Sequence, residues 1–251
     1  MNLETALALL PSTDKGVVSV LSGGLDSTIM TYLLTRKYGN DKVFALSYFY
    51  GQKQAVELTR AEETCKHLGV EHKIIDLRLL GDIASKVSAN ISGTDIQMPT
   101  IQDVLAMPQP KTYVPFRNMI LNSIAFSFAE SNDCNFIFTG MQSVDSYGYW
   151  DTTPEFIRDM NKVASHNRMH VIQMVAPFVS ISKTEEIQIA QEMGNVRLEH
   201  TLTCYNPDEE GRSCGKCPSC AERIKAFINN KLIDPVPYST MIEWEKLMEL
   251  N

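Results

Sequence analysis

Residues 22–28 (SGGLDST), here called the glycine loop, have the composition of an anion-binding turn. An apolar run at 17–21 precedes them, and Ile29, Met30, Leu33 and Leu34 follow at helical spacing. A strand, a glycine turn and a helix N-terminus direct backbone N–H groups at one point, which suits a phosphate or pyrophosphate. The acidic Asp26 at such a point requires a divalent cation. The alternative is an ordinary tight turn.

The pattern of the glycine loop excludes two common nucleotide-binding motifs. It lacks both Gly-x-x-x-x-Gly-Lys-[Ser/Thr] and Gly-x-Gly-x-x-Gly, which argues against a Walker nucleotidase and a dinucleotide binder. The residues that we expect at the phosphates are Ser22, Gly23, Gly24, Leu25, Asp26, Ser27 and Thr28.

Four of the six cysteines are crowded near the C-terminus, with the spacing of a metal site. Overlapping Cys-x-x-Cys pairs and one cysteine further upstream can complete a tetrahedral set without histidine. Four thiolates leave no position for water, so we predict structural Zn²⁺, with an iron–sulfur cluster as the alternative. The predicted ligands are Cys204, Cys214, Cys217 and Cys220. Cys65 and Cys134 are interpreted as core thiols.

Further polar residues follow predicted strands or begin predicted helices. Tyr50, Gly51 and Gln52 end the second strand. Arg117 and Asn118, and likewise Lys183, stand at helix starts, where a cation is unfavourable unless an anion is near. The loop after the fourth strand combines aromatic and acidic residues suited to a planar heterocycle, although surface turns share this composition. Its candidates are Asp145, Tyr149, Trp150 and Asp151.

Apolar periodicity predicts strands alternating with helices. We expect strands at 17–21, 43–49, 72–77, 135–139 and 171–175. Helices are expected after the glycine loop and at 54–68, 119–130, 155–167, 183–193 and 222–229. This alternation predicts an α/β fold with a Rossmann-like five-stranded parallel sheet and helices on both faces, with ligands beyond the carboxyl ends of the strands.

The chain is expected to divide into an α/β domain at 1–200 and a small, helical zinc-binding segment with four cysteines at 201–251. Between residues 79 and 113 no period is sustained, and we interpret this stretch as a lid or dimer contact, with a purely structural loop equally compatible.

The net charge of −7 and the absence of a basic stripe disfavour nucleic-acid binding. No apolar run is long enough for a membrane span, and the pattern of the N-terminus predicts a short helix. We therefore expect a cytoplasmic enzyme that acts on a small-molecule substrate.

The motifs together resemble one family within the PP-loop ATP pyrophosphatases. SGGLDST, YGQ, VPFRN, SK at 182–183 and TLTCY followed by CGKCPSC are similar to 7-cyano-7-deazaguanine synthases of queuosine biosynthesis. The resemblance implies ATP-dependent conversion of 7-carboxy-7-deazaguanine, with ammonia and Mg²⁺, through the amide to the nitrile. It also implies a homodimer.

The resemblance further implies roles for individual residues. Asp26, Arg117 and Lys183 would be catalytic. The glycine loop, Tyr50, Gly51, Gln52 and Lys183 would bind ATP. The deazaguanine would contact Arg117, Asn118, Asp145, Tyr149, Trp150, Asp151 and Phe156.

Two departures from the family pattern define an alternative. The family commonly has glycine where this chain has Phe116, and Tyr-Pro-Asp-Cys-Arg-Pro-Glu-Phe where residues 149–156 read YWDTTPEF. One alternative is therefore a paralogue that stops at the amide, or joins the activated deazaguanine to an amine of a partner protein in phage or antiviral biology. A second alternative is a zinc-stabilised nucleotide-binding module without turnover.

Overall fold

The computed structural model describes residues 1–97, 109–143 and 149–249. Its centre is a five-stranded, fully parallel sheet with the order β3-β2-β1-β4-β5. The strands are β1 Gly16–Val20, β2 Val43–Phe49, β3 Glu71–Asp76, β4 Cys134–Thr139 and β5 Gln173–Val175. The predicted sheet is therefore confirmed, and each strand lies within two residues of its expected bounds.

The sheet is built around β1, which pairs with strands on both sides. Val17 is aligned with Val43 of β2 and with Phe136 of β4. Val17 and Val18 are both fully buried and belong to cores on opposite faces of the sheet. A continuous apolar run suits this position, because a central parallel strand is covered on both faces.

Helices cover both faces of the sheet. They are α1 Leu3–Ala8, α2 Leu25–Tyr38, α3 Glu57–Leu68, α4 Arg78–Ala84, α5 Arg117–Ser131, α6 Pro154–Ala164, α7 Lys183–Met193, α8 Pro218–Asn229 and α9 Trp244–Glu249. Buried residues of α1, α2, α3, α7 and α8 share one core, and those of α4, α5 and α6 share the other. Short 3-10 turns occupy Asn40–Lys42, Trp150–Thr152 and Leu198–His200.

Helix α3 begins at Glu57 rather than at 54, and α6 ends at Ala164 rather than at 167; two further elements also differ from the predictions. The stretch at 79–113 is less irregular than expected, since α4 occupies Arg78–Ala84 and buries Leu80 and Ala84. Helix α8 begins at Pro218 rather than at 222, because the Cys217 side chain accepts a hydrogen bond from the Cys220 N–H and proline occupies the first turn.

Within the described parts of the chain, no helix combines the length and apolar character needed to cross a lipid bilayer.

Candidate active site and cysteine cluster

The glycine loop joins the end of β1 to the first turn of α2. Gly24 is the N-cap of α2 in extended conformation and makes no side-chain cap hydrogen bond. The Ser22 backbone N–H donates to Ser27 Oγ at 3.1 Å, and the Gly24 N–H donates to Ser22 Oγ at 3.2 Å. The two serine hydroxyls lie 3.0 Å apart. The loop is thus held by its own hydroxyls at a helix N-terminus, where the helix dipole favours an anion.

Close packing explains two glycines around this loop. Gly23 has a φ of +89°, and an added Cβ would overlap the Glu57 carbonyl oxygen at the start of α3. A Cβ on Gly140, which follows β4, would lie 2.9 Å from the Ser27 nitrogen. Only glycine fits at both positions, because the loop packs closely against the start of α3 on one side and the end of β4 on the other.

Lys183, the first residue of α7, extends its buried side chain to the glycine loop. Its Nζ lies 3.3 Å from Asp26 Oδ2, 2.5 Å from Gln142 Oε1 and 3.9 Å from Glu222 Oε2. Helix α7 begins with a capping box, since Ser182 Oγ accepts from the Glu185 N–H and the Glu185 carboxylate accepts from the Ser182 N–H. Asp26 Oδ1 is buried and, within the described part of the chain, has no hydrogen-bond partner, which leaves an acceptor for a donor or a cation.

The opposite wall of the cavity is formed by the start of α5 and the end of β2. Arg117 Nη1 lies 3.4 Å from the Tyr50 hydroxyl. The Asn118 N–H donates to Asp151 Oδ2 at 3.2 Å, and Asn118 Nδ2 donates to the Asp151 carbonyl oxygen at 3.1 Å. Burial raises the pKa of Asp151, against the lowering influence of Arg117. Asp151 therefore anchors the N-terminus of α5, which presents Arg117 to the cavity.

These walls enclose a cavity of about 280 Å³ at the carboxyl edge of the sheet. Among the residues predicted to be functional, the cavity brings together Ser22, Gly24, Asp26, Ser27, Tyr50, Gln52, Arg117, Asn118, Tyr149 and Lys183. The predicted residues that do not line it are Gly23, Leu25, Thr28, Gly51, Trp150, Asp151 and Phe156. Asp145 lies outside the described residues.

The residues that do not line the cavity have other packing partners. Leu25 and Thr28 are buried on the inner face of α2. Phe156 packs into the core beneath α6, and its ring meets Trp150 edge-on with centroids 5.6 Å apart. Trp150 is half exposed, and its ring meets the Phe116 ring edge-on with centroids 5.4 Å apart. Its Nε1–H donates to the Tyr113 hydroxyl at 3.0 Å. The aromatic residues of this loop thus pack on one another beside the cavity.

Three buried residues of the cavity wall were missed by the sequence analysis. Gln54, Asn122 and Thr139 are at most 7% exposed, and each has a side-chain oxygen to which no residue in 1–97, 109–143 or 149–249 donates a hydrogen bond. Buried polar atoms without partners are rare in folded proteins, and in a cavity wall they indicate a ligand that supplies the missing bonds. Gln54 lies two residues beyond the YGQ motif and Asn122 one helical turn beyond Asn118, so proximity to the motifs was the available signal.

Glu57, the first residue of α3, is a fourth missed residue of the cavity wall. Burial raises its pKa to about 8, although Arg117 and the Gln52 side chain act in the opposite direction. The apolar periodicity from 54 to 68 predicts how α3 packs. It does not indicate that a residue of the first turn lines a ligand-binding cavity.

The four C-terminal cysteines form one cluster. All four Sγ atoms lie within 4.8 Å of one another, and the pairs Cys214–Cys220 and Cys204–Cys217 are both 4.0 Å apart. Zinc–sulfur bonds of about 2.3 Å in a tetrahedron place sulfurs about 3.8 Å apart. Backbone N–H groups of Asn206 and Cys214 donate to Cys204 Sγ at 3.3 and 3.2 Å, which favours a thiolate. The donor set therefore fits a metal ion.

A buried ion pair supports the cysteine segment. Arg223, 1% exposed, donates to both carboxylate oxygens of Asp234 at 2.6 and 2.9 Å. Its remaining guanidinium hydrogens reach Thr201 Oγ1, Thr203 Oγ1 and the Leu198 carbonyl oxygen. These bonds hold the TLTC stretch between α7 and α8.

The cysteine segment is also part of the cavity. The Leu202 N–H donates to the Gly23 carbonyl oxygen at 3.0 Å, which ties the segment to the glycine loop. Leu202, Thr203, Tyr205, Ser219 and Glu222 all line the cavity. The cluster thus stabilises one wall of the candidate site.

The parallel sheet and the glycine loop at its carboxyl edge define an α/β protein with the PP-loop fold. A solved structure with this fold is the U34-tRNA thiolase NcsA from Methanococcus maripaludis with its 4Fe-4S cluster. The TM-score is 0.52 at 18% identity, and the match covers 77% of this chain and 62% of that one. At that identity the likeness shows the fold alone.

The chain belongs to the family described as Queuosine biosynthesis protein QueC, whose model matches residues 16–231. A 7-cyano-7-deazaguanine synthase 1 of Colwellia psychrerythraea is 38% identical over 222 residues, which cover 88% of this chain and 98% of the relative. A 7-cyano-7-deazaguanine synthase of Psychrobacter sp. strain PRwf-1 is 35% identical over 242 residues, with 91% and 92% covered.

Proposed function

We propose that this protein is an ATP-dependent ligase that converts 7-carboxy-7-deazaguanine, with ammonia, through the amide to 7-cyano-7-deazaguanine. The observation that carries the proposal is the convergence of the glycine loop, Lys183 and Arg117 on one cavity at the carboxyl edge of the sheet. The names of the relatives at 35–38% identity agree with this substrate class.

The chemistry explains why ATP is needed. A carboxylate is a poor acyl donor, since attack by ammonia would have to expel oxide. Transfer of AMP to the carboxylate oxygen, with release of pyrophosphate, makes that oxygen part of a leaving group. Ammonia then forms the amide and AMP departs. A second AMP transfer to the amide oxygen, followed by loss of AMP and of protons from nitrogen, leaves the nitrile.

The residues of the cavity are assigned roles by their chemistry. In the proposal, the N–H groups at the start of α2 and the hydroxyls of Ser22 and Ser27 hold the phosphates of ATP. Lys183 and Arg117 approach from opposite walls and stabilise the charge that develops as pyrophosphate leaves. No side-chain nucleophile is required, so the contribution of the protein is positioning and electrostatic stabilisation.

The cavity also suits a divalent cation beside ATP. Asp26 Oδ1 is buried next to the glycine loop with no partner among the described residues, and carboxylate oxygen is a preferred ligand of Mg²⁺. A bound Mg²⁺ would share the phosphate charge. Asp26 is the residue proposed to hold it, while Lys183 keeps the Asp26 side chain in place through Oδ2.

We further propose that Cys204, Cys214, Cys217 and Cys220 hold structural Zn²⁺ in the segment 201–251, beside an ATP-binding domain at 1–200. Elemental analysis of purified protein should give one zinc per chain, whereas iron with visible absorbance would support the iron–sulfur alternative. Chelation should expose the segment to limited proteolysis before the sheet. The homodimer and the cytoplasmic location stay predictions, and light scattering tests the former.

The proposed activity is tested by incubating the protein with ATP, Mg²⁺, ammonium and 7-carboxy-7-deazaguanine, and then measuring AMP and the deazaguanine products by mass. Nitrile with two AMP per turnover would support the proposal. Absence of AMP under every substrate condition would overturn it and favour the nucleotide-binding module without turnover.

A second candidate is the paralogue that stops at the amide or transfers the activated deazaguanine to an amine of a partner protein. The observation that favours it is the aromatic group of Phe116, Trp150 and Tyr113 beside the cavity, where the family pattern has glycine at 116 and proline at 150. In the same assay this candidate predicts adenylate or amide without nitrile, and half-exposed Trp150 would be part of the surface that meets the acceptor.

A further inference from the structure

The carboxyl group of Glu57 has no role in the mechanism above, although it lines the cavity. Three acidic residues line this cavity, and two of them, Asp26 and Glu222, face Lys183. Glu57 instead lies on the wall of Arg117. Its carbonyl oxygen packs on Gly23 so closely that a Cβ would not fit between them. Backbone packing therefore fixes the position of Glu57 relative to the glycine loop.

The surroundings of Glu57 permit a change of charge near neutral pH. Burial raises the pKa of the carboxyl group to about 8, and the hydrogen bond to Gln52 and the charge of Arg117 limit the rise. Tyr50, on the same wall, bonds Arg117 through its hydroxyl and keeps its own proton, because burial raises the pKa of that phenol. The charged groups on the other walls are Asp26, Lys183 and Glu222.

Both bond-forming steps of the proposed reaction release protons from nitrogen. When ammonia attacks the acyl adenylate, a C–N bond forms, the C–O bond to AMP breaks and one proton leaves the nitrogen. When the adenylated imidate becomes a nitrile, the C–O bond to AMP breaks and the remaining N–H proton leaves. Lys183 and Arg117 carry donors only, so neither can accept these protons.

We propose that Glu57 is the proton acceptor of this cavity, taking a proton from ammonia during amide formation and from the imidate nitrogen as AMP leaves. This inference rests on the proposed function and adds a residue that acts after adenylation. The Gly23 packing fixes the Glu57 backbone beside the loop that holds the phosphates, Glu57 lines the same cavity, and Arg117 stabilises the charged form of its carboxyl group. A positioned general base of this kind contributes about 10² to 10⁴ in rate.

The test separates adenylation from the nitrogen steps. Pyrophosphate–ATP exchange dependent on 7-carboxy-7-deazaguanine reports adenylation, and amide plus nitrile formation reports the nitrogen steps, at a constant concentration of free ammonia at each pH. Glu57→Gln should keep exchange within about threefold and lose about 10² to 10⁴ in amide formation. Glu62→Gln, on the exposed face of α3, is the matched control and should change neither.

The pH profile distinguishes a base from a structural residue. In the native enzyme, amide formation should rise with pH and level off above about 8, because the carboxyl must lose its proton before it can accept one. Glu57→Gln should lose this rise, and Glu57→Asp should retain it at a lower rate. Exchange should show no such rise in any variant.

Three results would overturn the inference. Amide formation by Glu57→Gln at the native rate, with the native pH profile, would remove the need for this base. Loss of exchange in Glu57→Gln but not in Glu62→Gln would place Glu57 in adenylation instead. If the native protein shows no substrate-dependent exchange, the proposed function itself fails, and the role of Glu57 fails with it.

Discussion

Two buried polar clusters in this molecule have opposite hydrogen-bonding states. Around Arg223 and Asp234, the guanidinium donates five hydrogen bonds, and the carboxylate also accepts from the Val236 N–H and the Tyr238 hydroxyl. In the cavity beside the glycine loop, buried oxygens of Asp26, Gln54, Asn122 and Thr139 have no hydrogen-bond partner among the residues that the structure describes.

This difference in hydrogen bonding distinguishes polar groups that stabilise the fold from polar groups that are available to bind a ligand. A saturated cluster stabilises only as a set, so removing one member leaves the others unpaired. Buried acceptors without partners lower the free energy of unfolding of the unliganded protein. A ligand that supplies donors or a cation raises it again. Three experiments test this contrast and a fourth tests the aromatic residues beside the cavity, from the largest expected effect to the smallest.

Arg223→Met should have the largest effect on folding. It leaves the Asp234 carboxylate buried and uncompensated, so we expect the free energy of unfolding to fall by about 3–5 kcal/mol in urea titrations. Arg212→Met is the control, because its pair with Asp208 is partly exposed, and this substitution should lower the free energy of unfolding far less. Equal losses in the two variants would contradict the structural role of the buried cluster.

Lys183→Met should act on turnover instead. Loss of one preorganised cation at the pyrophosphate should lower the rate of AMP formation by about 10² to 10³. The exposed Lys225 on α8 provides the control, and Lys225→Met should leave the rate unchanged. AMP formation by Lys183→Met at the native rate would show that the cavity does not use this cation.

Thr139 and Thr201 offer a matched pair, since both are nearly fully buried and differ in bonding. Thr201 Oγ1 accepts from Arg223 and donates to the Leu198 carbonyl oxygen, whereas Thr139 Oγ1 has no hydrogen-bond partner in the described parts of the chain. We expect Thr201→Val to lower stability by about 1–3 kcal/mol and Thr139→Val to be neutral or stabilising. Urea titrations that show the same loss for both would contradict the comparison.

Phe116→Gly tests a smaller effect beside the cavity. Phe116 has a φ of +53°, a left-handed conformation that costs about 1–2 kcal/mol for a residue other than glycine. The edge contact with Trp150 offsets part of this cost. Phe116→Gly should therefore be nearly neutral in the native background and stabilise a Trp150→Ala background by about 1 kcal/mol. A double-mutant cycle by thermal unfolding measures the coupling, and additive effects would exclude it.

The sequence predicted what local patterns determine. Apolar runs and glycine turns gave five strands in the right places, and cysteine spacing predicted a cluster that the structure confirms. Helix α4 was missed because its seven residues are too few for a helical period to stand out. The start of α8 was placed late because Pro218 reads as a breaker, whereas a proline fits the first turn of a helix.

The wall of the cavity was harder to predict because it depends on which elements meet in three dimensions. Glu57 and Asn122 lie on helices whose apolar periodicity predicts packing against the sheet. They line the cavity only because of how α3 and α5 are positioned on the sheet. Trp150 and Phe156 failed to reach the cavity for the same reason, since composition cannot show that aromatic rings contact one another.

The order of the elements along the chain has a consequence for synthesis on the ribosome. All five strands lie before residue 176, while Lys183, Leu202, Ser219 and Glu222 complete the cavity from later positions. A nascent chain thus has the whole sheet and the glycine loop before it has the last wall of the cavity. A chain that ends before α7 would therefore lack this wall and also the α7 and α8 residues that bury one face of the sheet.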